Sequence, residues 1–147
     1  MKEKYTSLGL MSGTSGDGVD ASMINSNGID KFEVIKDKYF EYDSKIYKSI
    51  HRLKDRIFDS NDLSKLSKEL KDLERKITLY HAKIIKEFIN ENNNFIVGFH
   101  GQTIYHNSQE KISKQLGDAN LLNQLTNKKI IFNLQKMTFQ MEVKEHH

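Results

Sequence analysis

The chain has 147 residues, the length of one domain, and 29% of them are charged and 37% hydrophobic. Its 23 basic and 20 acidic residues leave a net charge of +3, which is too small and too evenly mixed to predict a nucleic-acid-binding surface. The absence of cysteine, of a long apolar run and of an apolar N-terminal segment predicts a cytoplasmic protein without membrane spans or disulfides.

The N-terminal part of the chain predicts a three-stranded meander. Residues 6–11 form an apolar strand that runs into a glycine-rich stretch, and residues 18–25 alternate as a second strand does. The sequence SNG at 26–28 predicts a hairpin turn, and residues 29–40 predict the third strand.

Helical periodicity follows the meander. Apolar residues recur three and four apart over 44–58 and again from 63 to about 91, with capping residues at 59–62 between the two runs. A long helix lying on a sheet is favoured over a coiled coil. His51 and His81 fall on these helices and are interpreted as surface or boundary residues.

The C-terminal part returns to strands. Residues 95–100 form a continuous apolar run, typical of a strand buried on both faces, and GQTIYHN then turns out of it. A short strand is predicted at 111–116, a short helix after the capping residue Asp118, and a last strand at 128–134. The order of elements indicates the α/β class.

The stretch GLMSGTSGDGVD at 9–20 holds four of the eight glycines. Glycine lets backbone N–H groups turn toward an anion, neighbouring hydroxyls add donors, and Asp17 suits Mg²⁺ or the orientation of a water. A strand follows and no lysine does, so this is not a Walker loop. Composition alone leaves two interpretations open, a phosphate clamp and a tight polar hairpin.

Two further stretches place polar groups at element ends. FHGQTIYH follows the buried strand and offers His100, Gln102, Thr103 and His106, either as ligand contacts or as an ordinary polar loop. The two histidines are a poor metal pair without further ligands. QLGDANLL offers Asp118 at a helix start, where a plain N-cap is the simpler interpretation.

Together, GLMSGTSGDGVD, GFHGQTIYH and QLGDANLL resemble the signatures of the anhydro-N-acetylmuramic acid kinase family, in that family's order, over residues 5–133. The resemblance implies an α/β, actin/sugar-kinase-like (ribonuclease H-like) N-terminal lobe. It implies ATP and Mg²⁺ as cofactors and anhydro-N-acetylmuramic acid as substrate, whose ring is opened by water and phosphorylated to N-acetylmuramic acid 6-phosphate in cell-wall recycling.

The resemblance also implies roles for individual residues, with Asp17 as a candidate for the Mg²⁺ of Mg–ATP. The implied ATP-binding residues are Gly13, Thr14, Ser15, Gly16, Asp17, Gly18, Val19 and Asp20. The implied sugar-side candidates are His100, Gln102, Thr103, Asp118 and Asn120. No catalytic residue is assigned here, because the general base is expected in a second lobe. The chain departs from the family pattern at Gly16, usually leucine, and at Ala119, usually proline.

We expect residues 1–133 to form the N-terminal lobe and 134–147 to be a tail foreign to the family. When the tail is back-translated and read in the frame that begins at the third base of each codon, it is compatible with the sequence by which the family continues. We therefore expect a frameshift near 134–136 and no second lobe in this chain. The expected protein is an inactive, pseudogene-like fragment of the kinase. The alternatives are half of a split enzyme completed by a separately encoded C-terminal half, and a non-catalytic nucleotide- or sugar-binding module.

Overall fold

The computed structural model describes residues 5–27, 30–89 and 94–132, so the predicted tail and frameshift lie outside the described residues. The described residues form seven strands and four helices in two sheets. In chain order these are β1 (Tyr5–Met11), β2 (Gly18–Ser26), β3 (Phe32–Glu41), α1 (Ser44–Arg56), α2 (Ser60–Lys65), α3 (Ser67–Ile89), β4 (Ile96–Phe99), β5 (Gln102–Asn107), β6 (Ile112–Leu116), α4 (Ala119–Thr126) and β7 (Ile130–Ile131).

The main sheet has the strand order β3-β2-β1-β4-β7. The first three strands are an antiparallel meander, as predicted, while β4 runs parallel to β1 and β7 runs parallel to β4. The α/β class is therefore confirmed. Strands β5 and β6 form a separate antiparallel pair.

The core lies on one face of the main sheet. Leu10 of β1 stands opposite Ala21 of β2 and Phe99 of β4, and all three are buried. The expectation that β4 is buried on both faces is wrong, because Ile96 is 38% exposed. The strand's alternate residues face the side of the sheet away from the core, so its continuous apolar run misled the sequence argument.

The apolar repeat predicted from residue 63 is interrupted. Asp59 caps α2 and forms a capping box with Asp62, and at Leu66 the backbone leaves helical geometry with ψ of 16° before α3 begins. Most apolar residues of α3 are buried in the core, although Leu79 is exposed, which confirms a helix lying on the sheet. None of the described helices combines the length and hydropathy that crossing a bilayer requires.

Two other expectations are wrong. The stretch predicted to turn out of β4 forms strand β5, because Gly101 makes the turn alone with φ of +75°. Its absent side chain matters, since a Cβ there would lie 2.8 Å from the carbonyl oxygen of Leu116 on β6. His81 is completely buried rather than at the surface, whereas His51 lies at the boundary as predicted.

Candidate functional site

The glycine-rich stretch forms the turn between β1 and β2, and α1 packs against it. Within the turn, the Gly16 N–H donates to the Gly13 carbonyl oxygen at 3.2 Å. Gly16 has φ of +72°, and a Cβ there would lie 2.8 Å from Cγ2 of Ile50 on α1. In this chain both the conformation and the contact with Ile50 therefore favour glycine, so a turn that carries the leucine of the family pattern must be packed differently here.

Three carbonyl oxygens of this turn accept hydrogen bonds from the body of the protein. The Gly13 oxygen accepts from Gln102 Nε2 at 2.9 Å, the Thr14 oxygen from Lys54 Nζ, and the Asp17 oxygen from the Tyr42 N–H at 3.0 Å. The oxygens are thus drawn toward β5, α1 and the end of β3. A peptide unit is planar and trans, so an inward carbonyl turns the next residue's N–H the other way.

Two N–H groups lie opposite these carbonyls, that of Thr14 opposite the Gly13 carbonyl and that of Ser15 opposite the Thr14 carbonyl. Within the described part of the chain, the N–H groups of Thr14, Ser15 and Asp17 have no hydrogen-bond acceptor, and all three residues are exposed. Consecutive N–H groups that converge on one side of a turn form an anion-binding concavity. The peptide units between Gly13 and Ser15 therefore have the polarity that a phosphate site requires.

A buried hydrogen-bond network joins the turn to the second motif. Ser12 Oγ lies 3.2 Å from the hydroxyl of Tyr42, which donates to Gln102 Oε1 at 2.9 Å. All three side chains are buried. Burial raises the pKa of Tyr42, so its hydroxyl keeps its proton at neutral pH and acts as a donor.

The third motif follows directly from the second. Strand pairing sets Gln102 opposite Leu116, after which the chain reaches Asp118. The Asp118 carboxylate accepts from the Leu121 N–H at 3.0 Å and caps α4, and its own N–H donates to Thr78 Oγ1 at 3.0 Å. The N-cap predicted for Asp118 is confirmed, and the three motifs form one continuous region.

The structure separates the candidate ligand residues by accessibility. Val19 is completely buried in the core, so neither its side chain nor its backbone is exposed to a nucleotide. Gln102 is completely buried and its amide group is engaged within the protein, and Thr103 is also buried. His100 is half-buried and Asn120 is exposed.

The side of the turn near β3 is acidic. Asp17 and Glu41 line an open cleft of about 660 Å³, together with Tyr39, Tyr42, Ser44 and Tyr47. Asp20 of β2 stands opposite Tyr39, and burial, followed by a hydrogen bond with Asp37, raises the pKa of its carboxyl. In the described ranges no three histidine, cysteine or acidic side chains gather as a metal-binding group.

Sequence reasoning missed Tyr42 and Lys54, which hold the turn from outside it. Tyr42 lies at the end of β3 beside the N-cap of α1, and Lys54 lies in the last turn of α1. Their contacts with the turn span 30 and 40 residues of sequence. No local pattern marks such long-range partners.

Comparison with known proteins supports the interpretation of the motifs. A family model described as anhydro-N-acetylmuramic acid kinase matches residues 5–139. The chain is 56% identical over 138 residues to the anhydro-N-acetylmuramic acid kinase of Pelagibacter ubique and 31% identical over 146 residues to that of Agrobacterium fabrum. These alignments cover 92% and 91% of the chain but 37% of each relative, so the chain spans little more than a third of their length.

Proposed function

Because the chain belongs to the anhydro-N-acetylmuramic acid kinase family, we propose that it supplies the ATP-phosphate-binding turn of such a kinase. The family has the actin/sugar-kinase-like fold. The observation that carries the proposal is the polarity of the turn. The carbonyls of Gly13, Thr14 and Asp17 are bonded to the protein, while the N–H groups of the exposed residues Thr14, Ser15 and Asp17 lack acceptors within the described ranges.

The reaction we propose is the ring opening and phosphorylation of 1,6-anhydro-N-acetylmuramic acid. Water bonds to the anomeric carbon as the bond from that carbon to O6 breaks. O6 then bonds to the γ-phosphorus of ATP, the bond between the γ-phosphorus and the bridging β-phosphate oxygen breaks, and ADP leaves. A general base takes the proton of the water. The turn's part in this reaction is to hold the phosphates in line by hydrogen bonds, since phosphoryl transfer depends mainly on positioning and charge stabilisation.

The acidic cleft fits a nucleotide that carries Mg²⁺ better than a bare one. Asp17 and Glu41 would repel naked phosphates, whereas Mg²⁺ is commonly held by one or two carboxylates together with phosphate oxygens and waters. Asp17, exposed at the end of the turn, would be the ligand from this chain. When bound, Mg²⁺ would neutralise phosphate charge. We expect chelation of Mg²⁺ with EDTA to weaken ATP binding, and equal affinity with and without Mg²⁺ would contradict this role.

On the sugar side, we propose contacts from His100 and Asn120. Asn120 is exposed and His100 is half-buried, whereas Gln102 and Thr103 are buried. Asp118 is also half-buried, but its carboxylate is engaged in capping α4. On this proposal, the described residues supply donors to the phosphates from one side only. We therefore propose that the opposing contacts and the general base come from outside the described residues, for which a separately encoded C-terminal half is one source.

Calorimetry with Mg–ATP tests the proposal, with a matched pair of glycine variants. We expect weak binding by the chain, and Gly16→Ala should weaken it at least about tenfold by distorting the turn at a positive φ. Gly9→Ala is the control, because a Cβ on Gly9 would make only an ordinary contact of 3.9 Å with the Ser22 carbonyl oxygen. Equal affinity of a folded Gly16→Ala variant and the wild type would contradict the proposal.

A further inference from the structure

The buried network around Tyr42 closes into a ring on two adjacent residues of the turn. The Tyr42 hydroxyl donates its single proton to Gln102 Oε1, so it accepts a hydrogen bond from Ser12 Oγ. Gln102 Nε2 then donates to the Gly13 carbonyl oxygen at 2.9 Å. The ring therefore runs from Ser12 through Tyr42 and Gln102 to Gly13, and every bond in it has a defined donor.

The amide of Gln102 has one allowed orientation. Its two N–H groups donate to the carbonyl oxygens of Gly13 and Thr103, and its oxygen accepts from Tyr42. A flipped amide would set its oxygen against two carbonyl oxygens. Because the residue is completely buried, water cannot compensate for such a mismatch.

Tyr42 also holds the other end of the turn. Its backbone N–H donates to the Asp17 carbonyl oxygen at 3.0 Å, while its hydroxyl oxygen accepts from Ser12 Oγ at 3.2 Å. One residue thus fixes both ends of the segment that carries the exposed donors. Its ring packs against Tyr80 of α3 with 5.4 Å between the ring centroids, which anchors it to the core.

We propose that Tyr42 and Gln102 are positioning residues for phosphate binding, which keep the Gly13 carbonyl inward and the Thr14 N–H outward. The role rests on the proposed function of the turn. The Gly13 carbonyl and the Thr14 N–H belong to one planar peptide unit, so rotation of that unit would present an oxygen where the phosphate needs a donor. Gln102, expected to be a sugar contact, acts on this account through the turn.

Hydrogen exchange of the ligand-free chain tests the positioning by itself. Tyr42→Phe removes the hydroxyl, and Gln102→Leu removes the amide at similar size. Each should speed exchange of the Gly16 N–H, which is bonded to the Gly13 oxygen, by about tenfold relative to core amides of α3. The control is Tyr105→Phe, which deletes a hydroxyl bonded to Glu110 in the turn between β5 and β6 and should leave the glycine-rich turn unchanged.

A double variant separates a shared network from two independent losses. Because either substitution breaks the same ring, Tyr42→Phe combined with Gln102→Leu should exchange no faster at Gly16 than the more severe single variant. Ser12→Ala opens the ring at its other end and provides a milder variant if Gln102→Leu does not fold. Additive effects of the two substitutions would overturn the shared role.

The Mg–ATP affinity then tests whether positioning serves phosphate binding. We expect the Kd of Tyr42→Phe to rise about tenfold while that of Tyr105→Phe stays at the wild-type value. Unchanged Gly16 exchange in Tyr42→Phe overturns the proposal, and so does faster exchange with unchanged affinity. If the wild type binds no Mg–ATP while Tyr42→Phe still speeds exchange at Gly16, the proposed function and the link to phosphate binding are contradicted. The role of the ring in holding the turn is then upheld.

Discussion

His81 makes the stability of the fold depend on pH in a way that can be calculated. Its ring is completely buried in α3, with Nδ1 at 2.8 Å from the Ile77 carbonyl oxygen and its edge against Phe99. Within the described ranges Nε2 has no hydrogen-bond partner. Burial, partly opposed by the bond to the Ile77 carbonyl and slightly reinforced by His100, lowers the pKa of His81 from 6.5 to about 4.

The sign and size of the effect follow from proton linkage. Between pH 6.5 and pH 4 the unfolded chain binds a proton at His81 that the folded chain does not bind. The free energy of unfolding is therefore unaffected by protonation of His81 above pH 6.5, and it decreases as the pH falls from 6.5 toward 4. At pH 4 the loss amounts to about 3 kcal/mol.

Urea denaturation between pH 7.5 and pH 4 measures this loss against a variant that cannot titrate. His81→Leu has a similar volume and removes the ring nitrogens, so the wild type should lose about 3 kcal/mol more than this variant across the range. His106→Gln, at an exposed position on β5, is the control and should follow the wild type. Parallel curves for wild type and His81→Leu would refute the reasoning.

Three further predictions concern the hairpin, the third motif and catalysis. Gly18→Ala should destabilise the fold by about 1–3 kcal/mol in urea denaturation, because a Cβ there would lie 2.3 Å from the Phe40 carbonyl oxygen, whereas Gly9→Ala should change little. Asp118→Ala should lose about 1 kcal/mol through the missing cap on the Leu121 N–H, measured in the same way. The purified 147-residue chain should form no N-acetylmuramic acid 6-phosphate from the anhydro-sugar and ATP in a coupled assay, and product formation would contradict the proposed division of the site.

The meander, the glycine turn and the cap at Asp118 were predictable because their signals are local. Alternating residues and a capping side chain act within a few positions of the chain, whereas the Asn-Gly turn predicted at 26–28 lies partly outside the described residues. The burial of His81 also had a local signal that was missed. It lies four residues from both Ile77 and Ile85, on the buried stripe of α3.

The remaining features depend on contacts between distant parts of the chain. Tyr42 looks like an ordinary residue at a strand end, and its role appears only once β3, β5 and the turn are assembled. The sequence likewise could not show that the amide of Gln102 points into the protein. A motif can mark a residue as unusual, but its partner decides whether it contacts a ligand or holds the residues that do.

Backbone amide chemical shifts during titration with Mg–ATP test the central claim most directly. The claim is that the exposed N–H groups of the turn bind the phosphates. We predict that the largest shifts occur at Thr14, Ser15 and Asp17 and that Gly16→Ala reduces them. Saturable shifts confined to other parts of the chain, or binding with these three amides unmoved, would contradict the account.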